Sequence, residues 1–151
     1  MPIKWDSKLS VSNSDIDTEH KLIIACMNAL ELALRHLDEK DYLRFFIDQL
    51  FEFTTKHFYH EEQLQLQLQL KFRFPHYEEN KQGHQALLTE LAVIKTIIDS
   101  FIEKAEPTQE EGKEMHEQIS GLMRKWFIDP MIKSDMKMKG FMDKSIIYKS
   151  H

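Results

Sequence analysis

Turn-forming residues are scarce in this chain. Four glycines and four prolines among 151 residues are about half the share that is usual for a globular protein. A sandwich of short strands needs a turn about every eight to twelve residues, so the shortage argues against a sandwich or a barrel. It predicts a few long helices instead. The length is that expected of a single domain.

Cysteines and long apolar runs are also few. The single cysteine, Cys26, excludes an intramolecular disulfide and fits a reducing compartment. The first residues lack the apolar run of a secretory signal. The longest apolar stretch, near Leu22–Leu34, contains Asn28 and Glu31 and is too short and too polar to span a bilayer. We therefore expect a cytoplasmic protein with no membrane segment.

Acidic residues outnumber basic residues along most of the chain. The net charge of −5 offers no general attraction for a phosphate backbone, so we expect no nucleic-acid partner. The lysines concentrate in a basic tail over residues 131–151. We interpret this tail as a solvated surface, because charge runs usually face water.

The apolar residues that remain recur at helical spacing. They predict an all-α protein: an N-terminal arm over residues 1–14, helices over 16–37, 39–70, 76–104 and 108–128, and a short helical tail. Four long helices joined by short connections are typical of an up-down-up-down four-helix bundle. The chain is therefore predicted to form one domain, residues 1–151.

One segment conflicts with this periodicity. Gln63 to Leu70 reads QLQLQLQL, a strict period of two that is typical of a strand. We interpret it as helix because it continues the preceding helical stripe without a break. A helix spreads these leucines around its circumference, and the surplus would form either a homodimer contact through residues 63–70 or a contact with the arm.

Polar side chains interrupt the apolar stripes at four positions. His20, His57, Glu61 and His84 all fall where isoleucine, leucine or phenylalanine would be expected. A buried carboxylate is costly unless it is paired or binds a metal, and residues four apart share one helix face. A single inward histidine is more often a hydrogen-bonded core residue, but this combination favours a metal site built between helices. Imidazole and carboxylate ligands suit iron, manganese or zinc.

Four other histidines do not share this pattern. We predict that they are not ligands, and that His60, beside the stripe, is an outer-shell or surface residue. These histidines are His36, His60, His116 and His151.

Four motifs occur in a recognisable order. They read Ile16-Asp17-x-x-His20, His57-Phe58-x-x-Glu61-Glu62, Pro75-x-Tyr77-Glu78-Glu79-Asn80-Lys81-x-x-His84 and Trp126-x-x-x-Pro130-Met131-x-x-x-Asp135. Together they resemble the bacterial hemerythrins, four-helix bundles that hold a non-haem di-iron centre and bind oxygen. The resemblance covers nearly the whole chain.

The resemblance implies a set of metal ligands. His20 and His57 resemble the two histidines of one iron, and His84 resembles one of the three histidines of the other. Glu61 and Asp135 resemble the carboxylates that bridge the two ions. The implied cofactor is non-haem iron, at one or two ions per chain, with zinc or manganese as alternatives.

The chain departs from the family pattern in three ways. Asn80 and Pro130 stand where the family has histidines, so five of its seven ligands remain. The stretch between Glu62 and Pro75 is also about four residues longer than usual, which is about one helical turn. Because of that extra turn, spacing alone makes His76 a substitute ligand, whereas the local motif selects His84.

The resemblance implies a function in binding rather than catalysis. The expected ligand is dioxygen or another small molecule at the metal, for storage or sensing. The two altered positions favour a site reduced to one metal. The alternatives are a redox enzyme acting on peroxide or iron, and a structural or interaction bundle that has lost oxygen carriage.

Overall fold

Four helices make up most of the molecule. The computed structural model describes residues 4–36, 40–124, 133 and 136–143 and shows no strand among them. The helices are α1 (Ser14–Arg35), α2 (Lys40–Phe72), α3 (Tyr77–Ile102) and α4 (Gln109–Met123). Both α1 and α3 pack against α2 and against α4, and a short helical segment follows at 139–143. The predicted all-α bundle is confirmed.

The helix starts show which side chains act as caps. Thr108 and Glu111 have the spacing of a capping box, and Thr108 caps α4, since its hydroxyl accepts a hydrogen bond from the Glu111 amide at 3.1 Å. At α1 the cap is Asn13, whose Oδ1 accepts from the Ile16 amide at 3.0 Å, and the helix begins at Ser14 rather than Ile16. Observed and predicted ends of the first three helices differ by one or two residues.

The glutamine-leucine segment is helical throughout. It lies inside α2, which runs without interruption from Lys40 to Phe72. Gln65 and Leu68 face the interior, while Leu70 is 77% exposed. Leu68 belongs to the same apolar cluster as Val11 of the arm. A homodimer contact through this segment stays a prediction.

Two apolar clusters lie on either side of a polar layer along α1, α2 and α3. The larger, between the four helices, extends from Ile23 to Met123. The smaller cluster consists of Val11, Ile16, Leu68, Phe74, Met138 and Met142. Between them in each helix fall His20, His57 with Glu61, and His84, all buried. The bundle therefore presents these polar side chains to one another at one level.

The arm reaches the bundle at two points. Val11 is fully buried in the smaller cluster, and Trp5 is half-buried with the Lys21 ammonium 4.3 Å from its ring centre. The arm is thus attached to the bundle by an apolar cluster and by a cation–π contact.

A helix must be both long and apolar to span a bilayer. None of the helices in the described parts of the chain meets both conditions.

Candidate metal centre

Three ligand-type side chains converge in the polar layer. His20 extends from the second turn of α1, and His57 and Glu61 extend from adjacent turns of α2. The Nε2 atoms of His20 and His57 are 3.0 Å apart, and His57 Nε2 is 2.9 Å from Glu61 Oε2. One donor atom from each residue lies within 4.8 Å of the other two, and none of the three residues is more than 3% exposed. This spacing brings three lone-pair donors around one point.

The proton arrangement shows why a cation fits there. The other ring nitrogen of His57, Nδ1, donates to Glu19 Oε1 at 3.2 Å, so in neutral His57 the Nε2 atom carries a lone pair. That lone pair faces a carboxylate oxygen and a second imidazole. If Nε2 were protonated as well, its proton could be donated to only one of these two neighbours at a time. A cation at the centre instead accepts one lone pair from each of the three residues. The donor set therefore fits a metal ion.

His84 approaches Glu61 from α3, which packs against α2. Its Nε2 atom is 3.3 Å from Glu61 Oε1, and its ring stacks on Phe58 with centres 4.0 Å apart and planes 4° apart. The ring is 4% exposed, yet neither nitrogen makes a hydrogen bond to any residue that the structure describes. A buried imidazole without hydrogen bonds is costly, so His84 is also suited to bind a cation or a small ligand.

A second carboxylate lies near the outer nitrogen of His84. Glu62 Oε1 is 3.9 Å from His84 Nδ1. Burial raises the pKa of Glu62 above its ordinary value, although His84 and Lys81 oppose the rise.

Neutral side chains occupy the same side of Glu61 as His84. Gln65 is fully buried one turn after Glu61, and its Nε2 lies 3.1 Å from both Glu61 Oε1 and Met138 Sδ. Asn80, 2% exposed, lies one turn before His84 on the inner face of α3. Amides and a thioether are weak ligands for iron compared with imidazole. The Oε1 side of Glu61 is therefore poorer in strong donors than the Oε2 side.

The other sequence candidates fall into two groups. The implied ligand Asp135 and the substituted position Pro130 both lie outside the described residues. His76, the substitute suggested by spacing, lies at the N-cap of α3, half-buried and 3.2 Å from Glu79 Oε2. The structure does not bring it to the cluster. Cys26 is a core residue, and burial raises the pKa of its thiol to about 11, which keeps it protonated.

Two residues of this site were not found from the sequence. Glu19 lies beside a ligand on α1, but its contact is with α2, and no periodicity signals such a contact. Gln65 follows Glu61 by four residues on the same face, and that spacing was a usable signal. The neighbouring leucines at 64 and 68 hid it, because they continue the apolar stripe equally well.

Comparison with known proteins identifies the family of the chain. The model of the hemerythrin HHE cation-binding domain matches residues 11–135. Hemerythrin-like proteins of Naegleria gruberi and Naegleria fowleri are each 25% identical over 139 residues, which cover 92% of this chain and 92% of each relative. No solved structure matches the chain significantly. The chain belongs to the hemerythrin family of cation-binding domains, and it is a metal-binding protein.

Proposed function

We propose that the protein holds one non-haem iron ion at His20, His57 and Glu61 and binds dioxygen or a similarly small ligand there, for storage or sensing. The observation that carries the proposal is the convergence of these three buried donors within 4.8 Å. His84, on the far side of Glu61, is the fourth group in reach of that carboxylate.

The donor set supports the choice of iron. Two imidazoles and one carboxylate are the ligands of non-haem Fe(II) sites that keep coordination positions open. Zinc accepts the same ligands, and manganese accepts them with a preference for more oxygen. Iron bound here supplies open positions and a redox-active centre for a small ligand.

Burial supports a small ligand over an organic substrate. The four side chains of the polar layer are at most 4% exposed, and apolar clusters lie above and below them. A diatomic molecule can reach such a centre through side-chain fluctuations, whereas a larger substrate needs a cleft. We therefore favour binding over catalysis on an organic molecule.

The count of one ion follows from the neutral side chains near Glu61 Oε1. Gln65 donates to this oxygen at 3.1 Å, and its Nε2 also contacts Met138 Sδ at 3.1 Å, so one of the two lone pairs of Oε1 is already engaged. Asn80 supplies an amide where the family has an imidazole. Among the described residues, the Oε1 side retains one imidazole, that of His84.

The test is metal analysis of protein purified without chelator, together with optical spectra recorded first without oxygen and then in air. We expect close to one iron per chain, a spectral change on exposure to air, and no strong visible absorption of a bridged di-iron centre. Two irons per chain with that absorption would contradict the one-ion proposal. A protein that takes up no iron, even when it is reconstituted anaerobically with Fe(II), would contradict the function itself.

A further inference from the structure

A carboxylate outside the donor cluster connects the cluster to the protein surface. Glu19 follows Thr18 on α1 and faces α2, where its two oxygens accept hydrogen bonds from two different histidines. Oε1 accepts from His57 Nδ1 at 3.2 Å, and Oε2 accepts from His60 Nδ1 at 2.6 Å. Glu19 is therefore held at both ends of its carboxylate.

This geometry determines which nitrogen of His57 faces the centre. An imidazole presents a lone pair to a cation at one nitrogen only when the other carries the proton. Because Nδ1–H is directed at Glu19, the Nε2 lone pair is directed at the point shared with His20 and Glu61. A carboxylate that accepts from the outer nitrogen of a ligand also raises the basicity of the imidazole.

His60 lies at the surface and donates to the second oxygen of Glu19. Its side chain is 58% exposed, and with Glu19 it lines a groove of about 590 Å³ between α1 and the glutamine-leucine segment of α2. The carboxylate of Glu19, 21% exposed, is the link between this groove and the fully buried His57. Burial raises the pKa of Glu19, but the hydrogen bonds from both histidines outweigh it and leave the pKa below its ordinary value.

We propose that Glu19 is a positioning residue of the metal centre: it fixes His57 with Nε2 toward the cation, and His60 fixes Glu19 in turn. This inference rests on the proposed function, because it requires a cation at His20, His57 and Glu61. It adds an outer residue that the ligand motifs do not contain.

The first test uses variants of the full chain and Co²⁺ as the probe, with affinity measured by chelator competition. Loss of an outer carboxylate typically weakens metal binding by about 10–100-fold, and we expect this for Glu19→Leu. Glu19→Gln retains an oxygen acceptor and should recover most of that loss. His60→Ala should weaken binding by less than about tenfold, because Glu19 keeps its bond to His57. Glu52→Leu, an exposed change on α2 beside Lys56, is the matched control and should bind as the wild type does.

The second test takes its deciding result from the wild-type protein. Long-range ¹H–¹⁵N spectra of the zinc-loaded wild-type protein identify the zinc-bound nitrogen of His57. We expect zinc at Nε2 and a slowly exchanging, downfield Nδ1–H proton, which moves upfield in Glu19→Gln. Zinc at Nδ1 would overturn the proposal.

The outcomes separate this inference from the function on which it rests. If the wild-type protein binds neither Co²⁺ nor zinc, the proposed function fails. If it binds them and folded Glu19→Leu binds equally well, the function stands and the positioning role of Glu19 is wrong. A fall in thermal stability of Glu19→Leu with unchanged Co²⁺ affinity would show a structural role only.

Discussion

The two oxygens of Glu61 lie in different chemical surroundings. Oε2 faces His57, which lies against His20 and is held from behind by Glu19. Oε1 faces His84 and the amide of Gln65. Among the described residues, the Oε2 side combines two imidazoles with an outer carboxylate 3.2 Å from His57 Nδ1. The Oε1 side combines one imidazole, whose outer nitrogen is 3.9 Å from Glu62, with the neutral side chains of Gln65 and Met138. The Oε2 side of Glu61 thus has more strong metal ligands than the Oε1 side. This difference predicts that a cation binds on the Oε2 side.

The strongest test of this comparison removes one imidazole from each side. His57→Ala should abolish specific Fe(II) binding, because it removes the donor that contacts both other ligands. His84→Ala should weaken binding by about tenfold, the lower limit for an outer group, because it approaches Glu61 through the other oxygen.

These two variants control for each other, since both remove a buried ring of the same size. Fe(II) affinity is measured anaerobically by chelator competition. A larger loss in His84→Ala than in His57→Ala would reverse the assignment of the two sides.

Removal of the metal should lower thermal stability while the helices persist. A cation that binds only the folded state adds about 2.7 kcal/mol at a hundredfold excess over its dissociation constant. For a domain of this size that corresponds to a melting temperature about 5–10 °C higher. The extensive apolar clusters should keep the metal-free bundle folded.

Circular dichroism melts with and without chelator measure this difference. If protein shown to carry metal melts at the same temperature after chelation, the bundle is an interaction scaffold rather than a protein stabilised by its metal.

The sequence predicted the bundle and its inner faces better than the details of α2. On α1 and α3 the helical spacing of apolar residues places Ile23 and Leu91 on the same faces as His20 and His84, and both are buried. On α2 the helical spacing that leads to His57 and Glu61 places Tyr42 on the inner face, yet Leu43 is fully buried and Tyr42 is 56% exposed. Aromatic residues on several faces of α2 produce more than one plausible row, so periodicity cannot choose between them.

The candidate site was predictable only in part for a related reason. His20, His57, Glu61 and His84 disrupt apolar rows, and periodicity detects such disruptions. Glu19 disrupts no row, because it lies at the edge of the helix contact and acts through side chains of α2. Contacts between helices depend on their rotation and separation, which a one-dimensional pattern does not contain.

The Oε1 side of Glu61 can be tested by restoring the imidazoles that the family has there. Asn80→His together with Pro130→His returns two imidazoles to the positions where the family has them, and Pro130→His also removes a helix-breaking residue. We expect the iron content to rise from about one toward two ions per chain. Metal analysis after anaerobic reconstitution measures the change.

The single variant Asn80→His is the control for this test and should give an intermediate result. If the double variant takes up no more iron than the wild type, Gln65 and Met138 alone exclude the second ion, or the predicted registers of α3 and α4 are wrong.

The smallest expected effect concerns the carboxylate shared by the two sides. In the metal-free protein Glu61→Gln should change the free energy of unfolding by less than about 1 kcal/mol, because the amide keeps the shape of the side chain and removes the cost of burying a charge. The new amide can still accept from Gln65 at its oxygen and donate to His57 Nε2, so both hydrogen-bonding positions stay filled. With metal present the same variant should lose the stabilisation that chelation removes from the wild type. Denaturant unfolding of both proteins, with and without chelator, gives the four values needed.

A cost of about 3–5 kcal/mol in both conditions would identify a buried ion pair, since breaking such a pair costs that much. Glu61 would then hold the helices together by its charge alone, and its two sides would no longer differ in function.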